Sequence, residues 1–331
     1  MHGINLSVVK AVAKWLAADD TVWLVTILKT WGASPRPAGS LFAYNLSKDS
    51  VVGSISGGCI EEDLLRELAE TSADSSSKIS SPEASSPRRK RYGAGAEEQK
   101  HLQLPCGGTL ELLIEHLEAK AATVEHFKRL DLALSDRRRV MRRVVLSSGI
   151  MSDMDPVASP GIEDSGDTLE HTLGPQDRLL IIGASELARY LIPVAISMEF
   201  SVTVCDPRPG SMARNLLLEK GYERQACLPD DLVRERFNDK YCAIVALAHD
   251  PRVDDLALIA ALDTPAFFVG AMGSSKTSEN RFNRLKTLGL SAEQLARLHA
   301  PIGLPIGSKT PPEIAISIAA QLVEQRGLRE R

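Results

Sequence analysis

The sequence predicts an α/β protein: a doubly wound parallel sheet in the carboxyl-terminal half, preceded by a smaller α+β domain. Three observations carry that expectation. At 331 residues the chain exceeds one ordinary domain and suits two, each able to bury its own core. A hydrophobic share of 44% and a charged share of 25% are those of a globular protein, so disorder of the whole chain is excluded. The rhythm of apolar runs also changes along the chain, from short strands with few helices to strands that alternate with helices.

In the first domain, residues 1–146, helix-period apolar residues in "INLSVVKAVAKWLAADD" predict an opening helix. The strand "TVWLVTILK" follows, then shorter strands around "SLFAYN", "SVVGS", "TLELLIEHL" and "RRVMRRVVL". Thr71 to Pro87, "TSADSSSKISSPEASSP", is too polar to bury itself and reads as a mobile insertion within this domain. Ser147 to Gln176, acidic and dotted with Gly and Pro, reads as an interdomain linker.

In the second domain, residues 177–331, "RLLIIG", "SVTVCD", "CAIVALA" and "PAFFVGA" are short apolar runs of parallel-strand type, followed by stretches such as "SELARYLIPVAISMEF" and "PRVDDLALIAAL". Such repeats place a ligand crevice at the carboxyl ends of the strands. The residues there are candidates for ligand contact. After the first strand, "GASELA" nearly fits the dinucleotide fingerprint, with Gly183 and Ala188 in the outer places and Ser185 where a middle glycine would let a pyrophosphate approach. After the second strand come Asp206, placed about twenty residues on to take ribose hydroxyls, and Arg208. His249 with Asp250 follows the third strand, either as a proton-handling pair or as an ordinary strand end. After the fourth, Gly270, Gly273, Ser274 and Ser275, with Lys276 beyond, fit an anion site at a helix start, or equally a plain helix cap.

Two cysteines stand beside glycine pairs: Gly57, Gly58 and Cys59 before a helix expected over Ile60 to Glu70, and Cys106, Gly107 and Gly108 before a strand. A helix start stabilises a thiolate, although Glu61, Glu62 and Asp63 oppose it. The glycines clear space for a bulky ligand, and a soft sulfur suits a soft metal or an electrophilic sulfur. Arg36, in the Gly/Pro-stiffened loop Thr30 to Ser40, is a candidate anion contact for the same pocket. The bland alternative is two small buried residues beside tight turns.

The formal charge of -4 gives no global pull toward nucleic acid or an anionic membrane. The basic runs "PRRKRY" and "DRRRVMRR" read as solvated faces, the second as a strand edge. Five cysteines in no compact framework, and no cleavable leader, predict a reducing cytoplasm; no apolar run is long enough to span a bilayer. No Cys/His cluster has zinc spacing, so neither a metal ligand nor a catalytic residue is assigned.

Together "TWGASPRPAGS", "VVGSISGGCIEEDL", "YGAGAEEQKHLQLPCGGTLELLIE", "CDPRPG", "AHDPRVDDLAL", "FFVGAMGSSKT" and "HAPIGLPIGSKTPPEIAISIAAQLV" resemble the XdhC/CoxI family, the xanthine dehydrogenase accessory factors. The resemblance runs from Thr21 to Val323, sparing the two low-complexity stretches. It implies a cytoplasmic, dimeric maturation factor whose carboxyl-terminal domain is Rossmann-like. Such a protein binds molybdenum cofactor, with or without a terminal nucleotide, supports its sulfuration with a cysteine desulfurase, and inserts it into a molybdenum hydroxylase apoprotein. On that likeness Cys59 and Cys106 are candidates for cofactor or sulfur handling, and Gly183, Asp206 and the Gly270 to Ser275 loop for the phosphate or nucleotide end. The implied role is a cofactor-insertion chaperone rather than a turnover enzyme. Two alternatives remain: an NAD(P)-dependent oxidoreductase, and a thiol redox sensor joining Cys59 to Cys106.

Overall fold

The computed structural model describes residues 2–31, 36–56, 58–75, 86–93, 109–155, 161–208, 210 and 221–329. The chain divides into two compact units, Met1–Pro175 and Gln176–Arg331.

The first unit is built on β1 (Val22–Trp31), β2 (Leu41–Asn45), β3 (Ser50–Gly53), β4 (Arg88–Tyr92) and β5 (Thr109–Leu117). They form an antiparallel sheet in the order β3-β2-β1-β5-β4. β1 is apolar on both faces because both are covered. Val22 and Leu24 share a core with Val8, Val12 and Leu16 of α1 (His2–Ala17) and with Phe127 and Leu130 of α3 (Ala121–Ser135). Trp23, Val25 and Ile27 share the opposite core with Ile60, Leu64 and Leu68 of α2 (Cys59–Ser75). Gly53, at φ +93, ends β3 where a Cβ would stand 2.3 Å from the carbonyl oxygen of Leu41, so only glycine lets the chain turn there toward α2. Within the expected insertion, Thr71–Ser75 continue α2 and residues 76–85 lie outside the described residues.

Residues 147–176, expected as a linker, instead carry strands. β7 (Ile150–Met154), β8 (Ile162–Asp164) and β9 (Thr168–Leu173) join β6 (Val140–Val145) in a second antiparallel sheet, ordered β7-β6-β9-β8. The first unit therefore extends to Pro175 rather than ending at residue 146. Leu169, His171 and Leu173 alternate inward along β9, a period-two signal hidden by the Gly, Pro and acidic residues around it.

The acids there neutralise the basic runs. Asp164 takes both terminal nitrogens of Arg89 at 2.6 Å, and Glu170 holds Arg143. These residues are ion-paired rather than simply solvated, and β6, expected at an edge, lies inside its sheet. Arg142 of β6 and Glu115 of β5, each 2% exposed, make a bidentate pair at 2.6 and 3.0 Å that joins the two sheets.

The second unit holds β10 (Arg178–Ile182), α4 (Glu186–Ser197), β11 (Ser201–Cys205), β12 (Tyr222–Gln225), α5 (Pro229–Arg236), β13 (Cys242–Ala246), α6 (Pro251–Leu262), β14 (Phe268–Ala271), α7 (Ser275–Thr287), α8 (Ala292–Ala296), β15 (Leu298–His299) and α9 (Pro311–Arg329). Its six strands are all parallel, in the order β12-β11-β10-β13-β14-β15. α4 and α9 cover one face, α5 and α6 the other. This is the Rossmann-like arrangement expected, and its strand order reverses between β10 and β13, the switch point at whose carboxyl ends folds of this kind bind ligands. No helix among the described residues is long and apolar enough to cross a membrane.

Candidate functional site

In the first unit Cys59 is the first residue of α2. The carbonyl oxygen of Gly58 accepts the N–H groups of Glu61 at 2.9 Å and Glu62 at 3.4 Å, which makes Gly58 the cap, and a Cβ there would meet nothing within 4 Å. Glu61, three residues past that cap, folds back. One of its carboxylate oxygens accepts Ser54 Oγ at 2.7 Å, the Ile55 N–H at 2.6 Å and the Ser56 N–H at 3.0 Å. This variant of the capping box braces the loop that delivers Cys59. Asp63 takes the Tyr92 hydroxyl at 3.1 Å and pairs with Arg66, so acids expected only to oppose a thiolate have structural work of their own. Arg36 is partly buried in the loop before β2. Gly57, Cys106, Gly107 and Gly108 lie outside the described residues.

In the second unit the switch point is tightly built. Gly183, at φ +97, ends β10 against β13's continuation: a Cβ there would lie 2.4 Å from Ala248 Cα. Ser185, in the middle-glycine place, caps α4 by accepting the Ala188 N–H at 3.3 Å. Glu186 then puts a carboxylate in the first turn of α4, the end where a diphosphate would need positive potential.

Asp206 is fully buried, so it does not face outward as a ribose-binding carboxylate would. It accepts the Ala184 N–H at 2.9 Å, the Arg208 N–H at 3.0 Å, and the Arg208 guanidinium at 2.9 and 2.6 Å. Burial works to raise its pKa, but these hydrogen bonds, Arg208 foremost, hold it below the usual carboxylate value. Arg208 also donates to the carbonyl oxygen of Ala248 at 3.1 Å, reaching from the end of β11 to the loop after β13 while keeping its side chain 40% exposed. The outward charge at the crevice is thus the arginine's.

Asp250 caps α6, accepting the Arg252 N–H at 3.0 Å, and His249 precedes it exposed at φ +58; a strand end followed by a helix cap accounts for the pair. Ser274 caps α7, accepting the Thr277 N–H at 3.1 Å. Ser275 and Lys276 are exposed, and no acid occupies the first turn of α7. Beneath Gly273, the buried Ser278 hydroxyl has no hydrogen-bond partner among the described residues. Gly270 makes room for Ile302, whose Cδ1 would lie 2.5 Å from a Cβ there.

Sequence reasoning missed what holds these loops from below. Asp254, 1% exposed, accepts the Ala248 N–H at 3.2 Å and faces Arg281, which donates to the carbonyl oxygen of Met272 at 2.9 Å. Burial pushes Asp254 up to about 6, against the opposing pull of Arg281. The signal was an aspartate where the inner face of α6 should carry an apolar residue.

A family profile described as the XdhC and CoxI family matches residues 15–81, and one described as the XdhC Rossmann domain matches residues 179–322. The chain is 23% identical to a Bacillus subtilis (strain 168) protein named as a probable xanthine dehydrogenase subunit, over 94% of this chain and 95% of that one. It is 24% identical to an Escherichia coli (strain K12) protein named molybdenum cofactor insertion chaperone PaoD, over 92% and 83%. The solved structure of a xanthine dehydrogenase from Bacillus halodurans, 22% identical, shares the fold with a TM-score of 0.74 over 100% of this chain and 97% of that one.

Proposed function

The chain belongs to the XdhC and CoxI family, and from that premise we propose that it is a molybdenum-cofactor insertion chaperone. In this reading it protects the cofactor, supports its sulfuration with a cysteine desulfurase, and inserts it into a xanthine dehydrogenase/aldehyde oxidase-type molybdenum hydroxylase. It acts in the cytoplasm as a homodimer, and the cofactor is cargo rather than a resident group.

The observation that carries the proposal is the contrast between two helix starts on one sheet edge. The start of α7 carries Lys276, no first-turn acid and a buried Ser278 hydroxyl with no hydrogen-bond partner among the described residues, whereas α4 starts with Glu186. With the exposed Arg208, α7 suits the single anionic phosphate arm of a pterin better than the diphosphate of a dinucleotide. The bound cofactor would supply molybdenum held by a dithiolene. The second unit's part is to seat the phosphate end; Cys59, at the braced start of α2 in the first unit, is the candidate for sulfur handling.

Reconstitution with molybdenum cofactor, followed by assay of bound molybdenum and pterin, tests this. Near one cofactor per chain is expected, with Cys59→Ala losing far more than Cys242→Ala, since Cys242 is a buried core residue. Equal retention by the two variants would remove the thiol from the reading. NADH fluorescence is expected to show no saturable change; saturable binding would favour the oxidoreductase alternative.

A further inference from the structure

Two thiols that the chaperone reading leaves unused touch each other at the sheet edge of the second unit. Cys205 ends β11, and Cys227 follows β12, the neighbouring strand; their sulfurs lie 3.8 Å apart. The Cys205 thiol donates to the carbonyl oxygen of Cys227 at 3.2 Å. Parallel pairing of the strands, with Cys205 opposite Gln225, makes this contact.

The two sulfurs have different surroundings. Cys205 is fully buried, and burial first, then the neighbouring Cys227, pushes its thiol up to about 12, so it holds its proton. Cys227 is only partly buried. A partly buried thiol touching a fully buried one is the arrangement of an attacking and a resolving cysteine.

We infer that Cys205 and Cys227 form a redox-active dithiol whose substrate class is the low-molecular-weight disulfide, such as oxidised glutathione. The Cys227 thiol loses its proton to water, and its thiolate attacks one sulfur of the disulfide. A bond to Cys227 forms, the sulfur–sulfur bond of the substrate breaks, and one small thiolate leaves and takes up a proton. Cys205 then gives up its proton and attacks the Cys227 sulfur, expelling the second small thiolate, which is protonated in turn. The protein is oxidised by two electrons and the small disulfide is reduced to two thiols. The buried, proton-holding Cys205 makes closure the slow step.

Closure brings the sulfurs from 3.8 Å to about 2.05 Å. The carbonyl oxygen of Cys205 accepts the Gly183 N–H at 2.8 Å, and the next residue, Asp206, holds both Ala184 and Arg208. Oxidation therefore pulls on the crevice turn and on its outward cation together.

The test is incubation of the full-length protein with oxidised glutathione, acid quench, alkylation in denaturant with N-ethylmaleimide, and tryptic mapping. The expected product is a Cys205–Cys227 cross-linked peptide, reversed by dithiothreitol, with Cys242 alkylated throughout. Cys205→Ser is expected to accumulate the Cys227–glutathione adduct several-fold above wild type, and Cys227→Ser to leave Cys205 unreacted. A stable Cys227 adduct beside an alkylated Cys205 in the wild type, or no reaction at either cysteine, overturns the inference. None of these readouts depends on molybdenum cofactor.

Discussion

Two carboxylate–arginine pairs, Glu115–Arg142 in the first unit and Asp206–Arg208 in the second, end differently. Glu115 and Arg142 in the first unit are both 2% exposed, and the arginine also lies over the Phe127 ring at 5.4 Å. Asp206 in the second unit is sealed, yet its partner Arg208 stays 40% exposed. A pair closed on both sides speaks only through stability. A pair closed on one side anchors a cation and leaves it an edge for a ligand. The accessibility of the partner, more than the charges themselves, separates a structural ion pair from a binding one.

Arg142→Met breaks this comparison most severely. It strands the Glu115 carboxylate and is expected to cost about 3–5 kcal/mol. Urea unfolding followed by tryptophan fluorescence measures it, because Trp15, Trp23 and Trp31, the chain's only tryptophans, all lie in the first unit. Adding Glu115→Leu is expected to restore most of the loss; a single-variant loss below about 1 kcal/mol would mean the pair is not what joins the sheets.

Acid titration sharpens the contrast at somewhat smaller scale. Burial, then the Arg142 charge, lowers His126 from 6.5 to about 4, against the opposing pull of Asp153 at 3.3 Å. The unfolded chain therefore binds more protons between those values. The His126 contribution, roughly 3 kcal/mol, is fully present above pH 6.5 and is lost as pH falls toward 4. Asp254 in the second unit runs the other way: raised from 3.8 to about 6, it costs stability above pH 6, and that cost is relieved as pH falls through this window. His126→Gln is expected to flatten the fluorescence-detected stability of the first unit between pH 6.5 and 4. An unchanged slope would place the acid sensitivity elsewhere.

Arg208→Ala is the mildest case. The buried Asp206 loses its guanidinium but keeps the Ala184 and Arg208 backbone N–H groups, so stability is expected to fall by about 1–3 kcal/mol by circular dichroism, while cofactor occupancy falls about ten-fold. Unaltered occupancy would make the outward cation a bystander.

What the sequence disclosed follows from the same physics. β10, β11, β13 and β14 are legible because a parallel strand covered on both faces must be an apolar run, whereas β12, "YERQ" at an edge, and the two residues of β15 carry no such mark. β7 to β9 are half-polar strands whose acids have partners elsewhere in the chain, Arg89 lying 75 positions from Asp164. At the site, Gly183, Ser185 and Asp206 are legible as a local motif. The burial of Asp206 behind Arg208, the Asp254–Arg281 support and the Cys205–Cys227 contact arise only when strands and helices pair, and the Glu61 brace depends on a loop folding back onto its own helix.

The run Arg88, Arg89, Lys90 and Arg91 lies on β4, the outermost strand of its sheet among the described residues. An outer strand offers unpaired backbone groups to any other extended chain, and a second copy pairing along this one would have to displace or desolvate its charged side chains and the acids they hold. The same residues that bind the fold's own acids therefore guard it against stacking edge to edge into fibrils as the chain accumulates.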